Sequence, residues 1–180
     1  PHYRKITPMV ADELAKWGDW KNAVWIWESV LSSRPYVVAI MSNVARGYAQ
    51  MGQSEKALEC LARAKKLQPK ATSVNSLEVI LMSRTGKEPE AYQQSKALLA
   101  SGNYDYDLAN AAYVLAARAK DWPMALKALE LRNKGWPAQM VDGWLKIGNI
   151  YASVTEVKDE AKALAAYKAA LAAAPEADKA

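Results

Sequence analysis

The chain has 180 residues and a formal net charge of +5, and 51% of its residues are apolar, with only eight glycines and eight prolines. This composition favours long helices over turn-rich β structure. Basic and acidic residues are interleaved along the chain, which argues against a nucleic-acid surface. The lone Cys60 excludes an internal disulfide, and with the lone His2 it provides no metal-ligand set. No apolar run approaches the ~20 residues of a membrane span.

Apolar periodicity and end signals predict ten helices in chain order. Asp19 and Asp121 each precede a tryptophan as N-caps, and glycines such as Gly18 and Gly52 end the first helix of a pair. The predicted bounds are 6–17, 20–33, 37–51, 54–67, 71–84, 88–101, 105–119, 122–134, 138–153 and 158–173.

A fixed period relates these helices to one another in pairs. Small, glycine, small, large and proline positions recur in that order when 34 is added to each residue number. The first copy reads Ala11, Gly18, Ala23, Trp27 and Pro35, and the second reads Ala45, Gly52, Ala57, Leu61 and Pro69. The period predicts five repeats in one domain, at 4–37, 38–71, 72–105, 106–139 and 141–177.

The last repeat carries the fullest signature, with a longer turn at 155–160. Its residues are Trp144, Ile147, Gly148 and Tyr151, then Ala163, Tyr167, Ala170 and Pro175. Their order and spacing resemble the tetratricopeptide repeat. The resemblance implies an all-α fold, a right-handed superhelix (solenoid) of about five helix-turn-helix repeats with ten helices. Its concave face would be lined by the first helix of each repeat.

Nothing in the sequence predicts catalysis or a cofactor. Gly86 and Lys87 lack the upstream glycine and the following Ser or Thr of a phosphate-binding loop. Cys60 falls inside a predicted helix, with no second histidine to activate it. We therefore predict a non-enzymatic chain without catalytic, cofactor-binding or metal-binding residues.

The resemblance implies a ligand groove along the first helices, whose positions 2, 5, 9, 12 and 13 face the concave side. Small and hydroxyl side chains, arginines and asparagines occupy these positions, and suit a protein or peptide ligand. The alternative is a solvated polar helix face. The candidate contacts are Ser42, Arg46, Gln50, Ser76, Arg84, Asn110, Arg118 and Asn149.

The tryptophans divide into two groups. Trp17, Trp20, Trp27 and Trp144 occupy positions that we expect to pack within or between repeats. Trp25 is expected on the convex side or at the open first edge. The alanine-rich last helix is the second expected contact surface, since a terminal repeat must solvate or cover its outer face.

Four stretches resemble more than a generic repeat: 34–38, 70–87, 104–117 and 128–152. They are similar to the soluble C-terminal region of bacterial membrane O-antigen ligases and polymerases, a group that includes protein O-oligosaccharyltransferases. The resemblance implies a scaffold appended to a membrane-embedded glycan-transfer protein, on the periplasmic side of the inner membrane or alternatively in the cytoplasm. The chain begins at Pro1 without Met, as expected of a fragment. The alternative function is a free-standing assembly factor for pilus, secretion or envelope complexes.

Overall fold

The computed structural model describes residues 3–137 and 140–174, which form α-helices joined by short turns and contain no β-strand within those ranges. The prediction of an all-α fold of ten helices is confirmed, with helix ends within three residues of those expected. The expected start of the ninth helix at 138, His2 and Pro175 lie outside the described residues. The helices are α1 (Tyr3–Lys16), α2 (Trp20–Ser33), α3 (Val38–Gln50), α4 (Ser54–Leu67), α5 (Thr72–Arg84), α6 (Glu88–Ala100), α7 (Tyr106–Arg118), α8 (Trp122–Gly135), α9 (Met140–Ser153) and α10 (Glu160–Ala173).

We call the odd-numbered helices A helices and the even-numbered helices B helices. The chain divides into two compact units between Lys87 and Glu88. The first unit holds α1 to α5 and the second holds α6 to α10. The division falls within the predicted third repeat, at 72–105. The five repeat boundaries within one domain stay a prediction.

In the first unit each helix packs on the next in the chain, and α5 also packs on α3. Small residues stand where paired helices cross: Ala11 and Ala23 are fully buried between α1 and α2, and Ala45 and Ala57 between α3 and α4. A residue without a longer side chain lets two helix backbones approach closely. Trp27 fills the core beside them. The period therefore marks the packing contacts of this unit.

Within the second unit, each helix from α6 to α10 also packs on the next in the chain. One apolar cluster joins Leu126 and Leu129 of α8 to Ile147 and Ile150 of α9. Another joins Leu99 of α6 to alanines of α7 and α8. The predicted longer turn contains a short 3₁₀ helix at Thr155–Val157, before Asp159 caps α10 by accepting the Lys162 backbone N–H. Each B helix here packs on the A helix before it or after it.

The first four turns from an A helix to the B helix after it have a left-handed residue at the same place in the period. Gly18, Gly52 and Gly86 have φ values of 84°, 73° and 80°. The equivalent place in the next predicted repeat is taken by Lys120, whose φ is 56°. A side chain in this conformation costs about 1–2 kcal/mol, which glycine avoids. The fold thus imposes the turn on lysine where the sequence lacks glycine.

One tryptophan prediction is wrong. Trp17 is 80% exposed, although it was expected to pack within or between repeats. Met51 occupies the same place after α3 and packs against the cluster to which α2 contributes, whereas the described residues contain no helix before α1. Trp27 is buried and Trp20 packs beside it, as expected. Trp25 is exposed, in agreement with its expected place on an outer side.

Replacing Lys120 with glycine should stabilise the protein by up to about 1 kcal/mol, because glycine accepts the positive φ without strain. The matched control is Lys127→Gly, at an exposed position inside α8, which should cost about 1 kcal/mol of helix stability. Urea unfolding followed by circular dichroism measures both. A Lys120→Gly protein as unstable as the control would contradict the assignment of strain to this turn.

Candidate protein-interaction surfaces

The predicted groove residues lie on four A helices, but they are not equally accessible. Arg46 and Gln50 of α3, Arg84 of α5, Arg118 of α7 and Asn149 of α9 are exposed. They project from the ends and middle of their helices, where a partner can reach them. These five residues keep the accessibility that a ligand contact requires.

Ser42 and Ser76 need correction as accessible ligand contacts. Both side chains are buried. The Ser42 hydroxyl donates to the carbonyl oxygen of Val38 at 3.1 Å, and the Ser76 hydroxyl donates to that of Thr72 at 2.8 Å. A serine can make such a bond within its own helix at low cost in space. Their helical register predicted the direction of these side chains but not their depth.

The first unit has a cavity of about 220 Å³ between α1, α2 and α3. The Asp12 carboxylate lies in it and accepts hydrogen bonds from Trp27 Nε1 at 3.1 Å and Asn43 Nδ2 at 3.3 Å. Lys16 and Arg46 also line the cavity, whose remaining walls are alanine and tryptophan. The cavity therefore combines one fixed acceptor, two cationic donors and an apolar floor.

Asp12 was missed as a member of this site. It stands one repeat period before Arg46, so the two residues hold the same place in neighbouring A helices. That spacing is visible in the sequence and could have indicated that Asp12 and Arg46 belong together. The bond to Trp27 was not predictable, because it joins side chains of two helices whose crossing geometry the period does not specify.

A second cavity, of about 310 Å³, lies between α6 and α7 in the second unit. Arg118 lines it and is paired with Glu88. Tyr92 stands beside them and donates its hydroxyl to Asp121. Burial and this hydrogen bond raise the pKa of Tyr92 to about 12, so the phenol is neutral at physiological pH. A ligand carboxylate would have to displace Glu88 from Arg118.

A buried arginine joins α7, α8 and α9. The Arg132 side chain is 1% exposed, and its guanidinium donates to Asn110 Oδ1 and to Asp142 Oδ2, each at 2.8 Å. It also lies over the Tyr106 ring, 5.6 Å from the centroid. Asn110 was predicted as a ligand contact, yet its amide oxygen is already used by Arg132. Asn149 is similar, since its amide oxygen accepts the Tyr167 hydroxyl at 2.9 Å.

Arg132 was not among the predicted contacts, which all lie on A helices, whereas Arg132 lies on the B helix α8. It follows Ala125, Ala128 and Leu129 on one buried stripe of α8. A positively charged residue at the last place of an otherwise apolar stripe needs a partner. That pattern was a signal, and the partner is Asp142 at the start of α9.

The electrostatics of Asp142 follow from its neighbours. Burial alone would raise the pKa of this carboxyl, but the hydrogen bonds and positive charges of Lys146 and Arg132 outweigh burial and lower the pKa below its usual value. Lys146 Nζ donates to the same oxygen as Arg132, at 2.8 Å. Asp142 is therefore a carboxylate at neutral pH, shared by two cations.

Chemically reactive groups are few. Burial raises the pKa of the Cys60 thiol, so it is protonated and weakly nucleophilic at neutral pH. The described residues contain no cluster of three or more His, Cys, Asp or Glu side chains that could hold a metal ion. Among the helices described above, none combines the length and apolar character needed to cross a membrane.

No protein-family model matches the sequence. Among the solved structures that are similar over most of the chain, the crystal structure of MamA has a TM-score of 0.70 and 17% identity, covering 91% of this chain and 94% of that one. The crystal structure of PilW, described as a widely conserved type IV pilus biogenesis factor, has a TM-score of 0.73 and 18% identity, covering 99% and 82%. The fold is a tetratricopeptide-like helical repeat. At these identities the likeness shows the fold alone.

A curated relative adds a sequence match to part of this tetratricopeptide-like chain. The CTR9 homolog of Arabidopsis thaliana is 32% identical over 92 residues, which make up 50% of the chain. The chain spans about 8% of the length of that plant protein.

Replacing Asp142 with asparagine should flatten the acid limb of the stability curve. Because the folded-state pKa of Asp142 is lowered, its stabilising contribution is complete above the usual carboxyl pKa and is lost as pH falls through the lowered value. Half of the side chain is exposed to solvent, so the contribution is about 1 kcal/mol or less. Asparagine still accepts from Arg132 but does not titrate.

Urea unfolding at about pH 5 and about pH 3 measures the effect. Wild type should lose more unfolding free energy over this interval than Asp142→Asn. The control is Glu130→Gln, at an exposed position of α8, which should follow wild type. A full wild-type slope in Asp142→Asn would contradict the role given to the pair.

Proposed function

We propose that this chain is a non-catalytic protein-interaction scaffold that binds an extended peptide or a helix along the A helices of its first unit. The observation that carries the proposal is the cavity of the first unit, where Asp12 and Arg46 face the same space. Small-molecule and cofactor sites usually measure about 300–1,000 Å³. At about 220 Å³, this cavity is below that range and suits a single side chain of a peptide.

The side chains around the cavity match the groups of a peptide. Asp12 is held by two neutral donors, Trp27 and Asn43, and accepts from a ligand N–H or cation. Arg46 is exposed and offers a planar fork for a carboxylate or for a backbone carbonyl. The aromatic floor supplies apolar contact to the same ligand residue. A short peptide can thus be fixed at both a donor and an acceptor.

The second unit is the weaker candidate for the principal ligand contact. Arg118 is engaged by Glu88, and Asn110 by Arg132. A ligand that bound these residues would break existing contacts before making new ones. Arg46 has no such contact among the described hydrogen bonds and ion pairs of the first unit, so we place the principal contact there.

The wider context is a second, finer proposal. The four stretches similar to O-antigen ligases and polymerases support an appendage of a membrane-embedded glycan-transfer protein, held on the periplasmic side of the bacterial inner membrane. The likeness to PilW, a pilus biogenesis factor, favours the alternative of a free-standing assembly factor. The genomic sequence before Pro1 separates them. Several apolar spans there support the appendage, whereas a plain soluble start or a signal peptide supports the assembly factor.

Selection from a phage-displayed library of random dodecamer peptides tests the scaffold proposal. Enriched peptides should bind the chain with dissociation constants of about 1–100 µM. Arg46→Glu should weaken this binding about tenfold or more, because it removes a charge-assisted bond and repels ligand carboxylates.

The matched control is Arg63→Glu, which makes the same charge change at an exposed position of the B helix α4. It should change the affinity by less than about twofold, in keeping with weak interactions between distant surface charges. Circular dichroism checks that both variants keep their helical content. Equal losses in the two variants, or none in Arg46→Glu, would remove the first-unit cavity as the binding site.

A further inference from the structure

The first-unit cavity is lined by one negative and two positive side chains, and their partners decide which charge a ligand meets. Lys16 is paired with Glu13 of its own helix, so these two charges cancel each other. Asp12 and Arg46 also line the cavity, and neither takes part in an ion pair of the described residues. The remaining negative charge and the remaining positive charge therefore balance, although no direct bond joins them.

The Asp12 carboxylate keeps one oxygen for a ligand. Trp27 Nε1 and Asn43 Nδ2 both donate to its Oδ1 atom, at 3.1 and 3.3 Å. Its Oδ2 atom accepts none of the hydrogen bonds that join described residues. Since these two donors belong to α2 and α3, they hold the carboxylate of α1 from two sides, and the direction of Oδ2 is set before a ligand arrives.

Asn43 supplies a second acceptor to the cavity. Because its Nδ2 group donates to Asp12, its amide oxygen lies on the other side of the amide group. This oxygen accepts no hydrogen bond among the described residues, and Asn43 lines the cavity. Arg46 adds a planar fork of N–H donors. Two acceptors and one cationic donor group thus surround the same space.

A primary carboxamide matches this arrangement better than a charged group does. Its NH₂ group has one hydrogen for Asp12 Oδ2 and one for Asn43 Oδ1, and its oxygen accepts from Arg46. A ligand cation is repelled by Arg46, whereas a ligand carboxylate is repelled by Asp12. An apolar side chain displaces water from both charged groups and returns no hydrogen bond, which is costly.

We propose that the first-unit cavity binds a glutamine or asparagine side chain of the peptide ligand. This inference rests on the proposed scaffold function and names the residue that the ligand inserts. Trp20 and Trp27 contact the methylene groups of that residue, and Asp12 and Arg46 bind its carboxamide. A direct pair between the exposed Arg46 and Asp12 is weak in water, so the carboxamide can replace it.

Substitutions in the ligand test the inference. Peptides enriched from the dodecamer library should share one glutamine or asparagine. Replacing this residue with methionine, glutamate or lysine should weaken binding about tenfold or more in isothermal titration calorimetry, because hydrogen bonds to charged groups are lost. Equal affinity of the glutamine and methionine peptides would overturn the inference. The scaffold proposal would still stand in that case, provided that Arg46→Glu weakens binding.

Asp12→Asn tests the same contact from the protein side. The new amide oxygen can keep the bonds from Trp27 and Asn43, which places an NH₂ group where Oδ2 stands. The cavity then has a net positive charge from Arg46, so its preference should reverse. The glutamate form of a selected peptide should bind this variant about tenfold or more tightly than it binds wild type, and the glutamine form should bind it more weakly.

The control for this reversal is Asp107→Asn, the same change at an exposed position in the first turn of α7. It should keep the wild-type order of affinities. Circular dichroism checks that both variants keep their helical content. A wild-type order of affinities in folded Asp12→Asn would overturn the inference.

Capped amino acids test the cavity without a selected peptide. In nitrogen–proton correlation NMR spectra, N-acetyl-glutamine methylamide should shift the Trp27 indole and Asn43 side-chain signals, with a dissociation constant of about 1–10 mM. The glutamate and lysine analogues should bind about fivefold or more weakly. Equal shifts from all three would indicate backbone recognition and overturn the inference, as would no shift from the glutamine compound. A selective glutamine shift, with no peptide enriched from the library, would support the carboxamide site and remove the scaffold proposal alone.

Discussion

The structure depends on one constraint: a helix that is apolar on two sides must be covered by two neighbours. The pairs α1 with α2 and α3 with α4 meet through fully buried small residues such as Ala23 and Ala57, and a larger residue, Val24, meets the helix of the next pair. Alanine at the crossing lets the two helices of a pair approach closely. This close approach determines the backbone conformation of the turn that joins them. Lys120 shows how strong this requirement is, since the turn keeps a positive φ even without glycine.

The same constraint explains where polar groups can serve a ligand. In the second unit a buried arginine must be paired, because an unpaired charge inside a protein is costly. The Arg132 guanidinium therefore occupies acceptor oxygens of Asn110 and Asp142. These two residues serve helix packing before they can serve a ligand. Asp12 is held by the neutral donors Trp27 and Asn43 instead. In the first unit the charge of Asp12 thus stays available to a ligand, whereas in the second unit the charge of Arg132 is paired between helices.

Helix positions could be predicted from the sequence because their signals are local: Asp19 and Asp121 cap the helices that follow them, as expected. The candidate site was predicted less well, because a register position gives the direction of a side chain and not its depth or partner. Ser42 was expected to face a ligand and is buried. Arg132 of α8 contacts side chains of α7 and α9 at once, and only a three-dimensional arrangement shows that.

The ends of a repeated structure are where the period is least informative. A repeat assigns the same pattern to a covered and to an uncovered position, so Trp17 was expected to pack like Met51, although the described residues provide no helix to cover it. Composition then becomes the useful signal. A helix face that only meets water is expected to be polar, yet Leu164 and Leu171 of α10 and Val10 and Trp17 of α1 are exposed. Composition therefore distinguishes these faces from an ordinary solvated helix surface, whereas the repeat period alone does not.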